Sequence, residues 1–233
     1  MKKISKVLEV WNKSLVSEIS LGSLYSRNPT AHKWKVTYRS IVLRELTFWR
    51  VTDLLNQILI LVENGHILGA RILLRSIIET VGILVYINQK TQAVTSHEIQ
   101  LEELSKITTK LMLGSKNSST TIQSINVTHT ILEKWCKKKY PNMVKLYYEL
   151  CESAHPNYEG VCNGYSYVNE NDYQTVFENR WNELHENNLE DFTLDVMRVF
   201  DEEYNNIWQE HFVALEKFLV KNDEELEPSK GSI

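Results

Sequence analysis

The sequence predicts an all-α protein: an antiparallel bundle of long helices with one irregular loop or small hairpin near residues 158–175. Three observations predict it. Only 8 Gly and 4 Pro occur among 233 residues, so long stretches run without turn punctuation. Apolar residues recur at three- and four-residue spacings along most of the chain. A content of 42% hydrophobic and 24% charged residues fits a soluble globular chain long enough for one substantial core. A single helical domain is expected over residues 1–222, followed by a frayed acidic tail over residues 223–233.

The elements follow in order. From Lys2 to about Tyr25, residues Ile4, Leu8, Trp11, Leu15 and Ile19 mark an amphipathic helix. Asn28-Pro29-Thr30 breaks the chain, and a second helix is predicted from Thr30 to Asn64, about 50 Å long. Asn64-Gly65 stops it. The chain then turns back into an apolar helix over Ile67–Ile87, as a short turn between long helices demands. A polar helix is expected around His97–Leu113, and the loop Gly114–Thr120 after it. Helix resumes from Val127 to Tyr140, and Pro141 restarts it over Asn142–Ala154 until His155-Pro156-Asn157 ends it. Tyr158 to Tyr173 is the least helical stretch, and Val176 to Lys221 reads as one interrupted helix or two.

Charge is unevenly distributed. Residues 1–150 hold 21 Lys and Arg against 11 Asp and Glu, whereas residues 151–233 hold 5 against 19. Either the acidic part docks on the basic part, within one chain or between two, or a basic face stays free for an anionic ligand. The three cysteines, Cys136, Cys151 and Cys162, form no C-x-x-C pair and predict reduced thiols in a cytoplasmic protein. Ile4–Ser20 lacks the apolar core of a signal peptide, and the three charges within Ile67–Ile87 mark a buried helix rather than a membrane span.

Those three charges are the most informative feature. Taking 100° per residue, Arg71, Arg75, Glu79, Gly82 and Tyr86 share an arc of roughly 80° on one side of the helix. Glu placed after Arg is the weaker order for an i,i+4 pair, so helix energetics do not explain it. Two readings remain: a buried network tying this helix to the one before it, or a ligand or catalytic site. His155 at a helix end could supply an acid or base to such a site.

Other patterns are less specific. E-x-x-H occurs at Glu63–His66 and Glu152–His155, but roughly 0.7 hits are expected from composition alone. R-x-x-x-x-H occurs as Arg27–His32 and Arg180–His185, again near the chance level. Cys151, His155 and Cys162 lack the spacing and fourth ligand of a zinc finger or ribbon. Trp135 to Tyr140, with Lys134, Lys137, Lys138 and Lys139, is a basic knot flanked by aromatics that could meet phosphates or simply complement a helix dipole.

The run Gly69–Glu79, with its R-S-x-x-E core, followed by Ser153-Ala154-His155-Pro156, resembles a group of uncharacterised bacterial helical proteins over residues 30–160. That group is similar in architecture to HEPN-type bundles, and related genes travel with mobile elements and phage defence. The resemblance implies that Arg75, Glu79 and His155 come together. Two functions compete. In the first, Arg75, Glu79 and His155 are catalytic and Arg71, Tyr86 and Asn157 contact an RNA or another phosphate-bearing ligand, with His155 moving a proton and no metal or other cofactor required. In the second, the chain is a non-enzymatic interaction module that forms a homodimer, and the stripe fixes packing register.

Overall fold

Ile4, Leu8 and Trp11 fall on one side of helix α1 (Lys2–Ser14) and are all buried. The structure, a computed structural model, describes residues 1–117 and 120–228. The first helix, expected to reach Tyr25, stops at Ser14 because residues 15–20 have another use: the Val16 carbonyl accepts a hydrogen bond from the Trp49 indole N–H at 2.8 Å. Ser20 then caps α2 (Leu21–Arg27) by accepting from the Ser23 N–H, and Asn28 caps α3 (Pro29–His32) by accepting from the Ala31 N–H. The long helix expected from Thr30 begins later, as α4 (Lys35–Glu63). Trp34 is extended and buried, and the Thr37 hydroxyl donates to its carbonyl at 2.8 Å.

Gly65, at φ 72°, makes the turn into α5 (Ile67–Thr95), which is longer than its apolar run suggested. Both α4 and α5 have 29 residues, about 44 Å each, and they pack as an antiparallel pair. Helix α6 starts at Leu101 and runs to Leu113, not from His97, which lies in the intervening turn. A π-helical segment, Val127–Cys136, leads into α7 (Lys137–Lys139), and Pro141 opens α8 (Pro141–Ala154). A short π-helical turn, Tyr158–Asn163, precedes the antiparallel strands β1 (Ser166–Asn169) and β2 (Gln174–Phe177), with Tyr167 opposite Val176 and Val168 opposite Thr175. The irregular region is thus a turn plus a small hairpin. Helix α9 (Trp181–Asp201), the π-helical Glu202–Ile207 and α10 (Trp208–Lys221) continue one another.

The all-α fold is organised around α5, which buries 18 of its 29 residues against α4, α8, α9, α10 and the first π-helical segment. Ile77, Ile78, Val81 and Leu84 sit at the centre of the main core, and Trp11, Phe48 and Phe200 close one end of it. A second cluster joins Trp34, Leu101, Leu104, Leu215 and Leu219. Of the tail expected to fray from residue 223, Asp223–Leu226 form one helical turn, α11, and Asp223 and Glu227 both pair with Lys33. Residues 229–233, and Ser118 and Ser119 of the predicted loop, lie outside the described residues. Among the described residues no helix is long and apolar enough to cross a membrane.

Candidate functional site

The charged stripe of α5 faces α8, and the sequence expectation that it would tie back to α4 is not met. Arg75 Nε donates to Cys151 Sγ at 3.1 Å, while its Nη2 lies 2.9 Å from the Tyr147 hydroxyl and 3.2 Å from Glu79 Oε1. Tyr147 is fully buried, and its hydroxyl donates to Glu79 Oε1 at 2.9 Å. Because Arg75 can only donate and the single phenolic proton goes to Glu79, the Thr128 hydroxyl 3.0 Å away must donate as well. Burial and the Glu79 hydrogen bond push the Tyr147 pKa up to about 12, against the opposing Thr128 contact, so the phenol remains the donor.

One turn earlier, Arg71 is buried and donates from Nε to Ser153 Oγ at 2.8 Å. Its Nη2 lies 4.0 Å from Glu159 Oε1, and that same oxygen is 3.3 Å from His185 Nε2 on α9. The His185 contact is not aligned as a hydrogen bond, and Nε2 has no hydrogen-bond partner. Burial, reinforced by the Arg71 charge, lowers the His185 pKa to about 4, so the ring is neutral at pH 7 and stacks on Trp181 at 5.2 Å.

Through Glu159 these contacts reach the π-helical turn between α8 and α9, and other groups hold the rest of that segment. Asn157 caps the π-helical turn by accepting from the Gly160 N–H at 3.0 Å, and it donates to Glu152 at 2.6 Å. Gly160 sits so close to the His155 carbonyl that an added Cβ would come within 1.9 Å of it. Arg180 donates to the carbonyls of Asn163 and Ser166 and lies 5.5 Å from the Tyr167 ring, fastening the hairpin from its far side.

Arg75 and Glu79 are therefore joined through Tyr147, and Arg71 makes a separate set of contacts one turn earlier, but His155 joins neither set. Its ring is exposed at the end of α8 and makes no hydrogen bond or ion pair with any described residue, because the chain leaves the helix there in an extended conformation. Tyr86 stands two turns further along α5, buried against Trp135 at 5.7 Å, and Asn157 serves as a cap. Sequence reasoning missed Tyr147 and Glu159, and named Cys151, Ser153 and His185 without connecting them to the stripe. A Tyr-x-x-x-Cys spacing on α8 and the second R-x-x-x-x-H hit were the available signals, although Arg180 of that hit turns to the hairpin instead. In the other hit, Arg27 and His32 both bind Glu216, at 2.6 and 2.9 Å, and clamp α10. Among the described residues no group of three or more His, Cys, Asp or Glu side chains is placed to hold a metal ion.

Residues 43–175 match the model of DUF5677, a family of unknown function. The chain belongs to that family. No curated protein and no solved structure matches it. The DUF5677 span contains the stripe, its α8 partners and Glu159, and ends inside β2, so His185 is contributed from beyond the matched region.

Proposed function

We propose that this DUF5677 protein is a helical interaction module that pairs with a second copy through the hairpin of residues 166–177, and that the α5 stripe anchors that hairpin. The observation behind this reading is the outward display of large apolar side chains: Val168, Tyr173 and Phe177 are 65, 93 and 81% exposed. Strand alternation puts Val168 and Phe177 on the face opposite Tyr167, where Arg180 holds the hairpin. Tyr173 also takes φ 52°, a left-handed conformation that disfavours a bulky residue. An exposed aromatic kept there at a conformational cost supports a contact outside the fold.

Charge favours a second copy as the partner. Residues 166–179 carry Glu170, Asp172 and Glu178 with no Lys or Arg, whereas residues 1–150 are basic on balance. A two-fold pair would let each hairpin meet the basic half of its partner. A phosphate-transfer role for the stripe has less support, since Arg75 and Arg71 already face Glu79 and Glu159 and His155 stands apart. Sedimentation equilibrium of the full chain tests the proposal. Self-association that weakens with added salt and is lost in the Val168→Ser/Phe177→Ser variant is the expected result. A monomer at every concentration, or a dimer indifferent to that variant, contradicts it.

A further inference from the structure

At the other end of α5, Gln89 and Gln92 line an open cleft of about 630 Å³ together with Lys134, Trp135, Lys138, Lys139, His211 and Glu98. Its basic wall is built by the π-helical segment and α7, a type of irregularity frequent at functional sites. Lys134 and Lys138 are four residues apart on one face and form no ion pair with any described residue, an arrangement that works against helix stability. Lys137, between them, pairs with Glu133 and lies outside the cleft. Lys139 is held by the fully buried Glu203 at 2.8 Å, and Glu203 is fixed in turn by the Tyr140 hydroxyl and Asn88 Nδ2, both at 2.7 Å. Glu98 is the one carboxylate lining the cleft.

His211 is oriented by the same framework. Its Nδ1 lies 3.0 Å from the Asn88 carbonyl, which can only accept, so the proton sits on Nδ1 and Nε2 is left over. Two unpaired ammonium groups and a third held in place are the chemistry that recognises a phosphate. Beside them, the two glutamine amides each offer a donor and an acceptor, and the half-buried Trp135 ring, covered by Lys90 at 4.2 Å, offers an aromatic edge. The volume is that of a small-molecule site.

We infer that this cleft binds a nucleoside monophosphate, with the phosphate on Lys134 and Lys138, His211 Nε2 left to accept a hydrogen bond from the nucleoside, and the base toward Gln89, Gln92 and Trp135. Nothing in this reading depends on the hairpin. Calorimetric titration of the full chain at low salt with AMP, GMP, CMP, UMP, inorganic phosphate and single-stranded RNA oligonucleotides tests it. At least one nucleotide binds more tightly than phosphate alone, and Lys134→Ala/Lys138→Ala weakens it about tenfold or more. Gln89→Ala/Gln92→Ala narrows the gap between nucleotide and phosphate, and Lys137→Ala leaves binding unchanged. The substituted lysines are exposed, and circular dichroism verifies that each variant is folded. No binding of any nucleotide, equal binding of nucleotide and phosphate, or binding of single-stranded RNA oligonucleotides alone overturns the inference. So does nucleotide binding that survives loss of Lys134 and Lys138.

Discussion

The Tyr147 hydroxyl donates to Glu79 at 2.9 Å while accepting from Arg75 at the same distance, so one buried phenol joins two of the three charges of the α5 stripe to α8. Tyr147→Phe removes that joint and leaves Arg75 and Glu79 with only each other and Cys151. It is expected to cost about 1–3 kcal/mol, read from the midpoint of urea denaturation at unchanged slope. A loss below a few tenths of a kcal/mol would show that water replaces the hydroxyl freely.

The lowered His185 pKa gives stability a specific pH dependence. The unfolded ring takes up its proton near pH 6.5, the folded ring only near pH 4, so the unfolded state binds more protons between those values. Stability contributed by the neutral ring is complete above about pH 6.5 and declines as pH falls toward 4, by at most about 3 kcal/mol. His185→Gln should flatten this part of the curve relative to the parent protein. An unchanged acid slope in the variant would assign the effect to other groups.

Tyr173 should separate folding from association. Tyr173→Gly relieves the left-handed strain at φ 52° and is expected to leave stability equal or raise it by about 0.5–1 kcal/mol. The same variant should self-associate more weakly. Thermal unfolding and sedimentation on one sample check both halves.

Gly164 packs directly on the Trp181 ring, where an added Cβ would lie 2.6 Å from ring atoms. Gly164→Ala must displace the indole against which His185 stacks, at a cost of about 1–3 kcal/mol. The change should be visible as altered near-ultraviolet circular dichroism.

Much of the fold was legible because helices are local. Ile77, Ile78, Val81 and Leu84 announce a buried helix wherever it ends up, and Gly65 announces the turn before it. The break after Ser14 was not legible, because its cause is the Trp49 indole reaching Val16 from 33 residues away. The stripe was readable on α5 for the same local reason. Its partners were not: Ser153, Glu159 and His185 meet Arg71 only through the packing of α8, the turn after it and α9. The position of His155 was not legible either: its place at a helix end next to proline does not reveal that the extended chain there leaves it apart from the stripe.

In the proposed function Arg71, facing Glu159, anchors the segment that displays the hairpin. Hydrogen exchange followed by mass spectrometry on the parent chain and on Arg71→Met tests this most directly. Faster exchange confined to residues 155–180, with α4 and the core of α5 still protected, is the predicted result. Unchanged exchange over residues 155–180, or uniform acceleration across the whole chain, would contradict it.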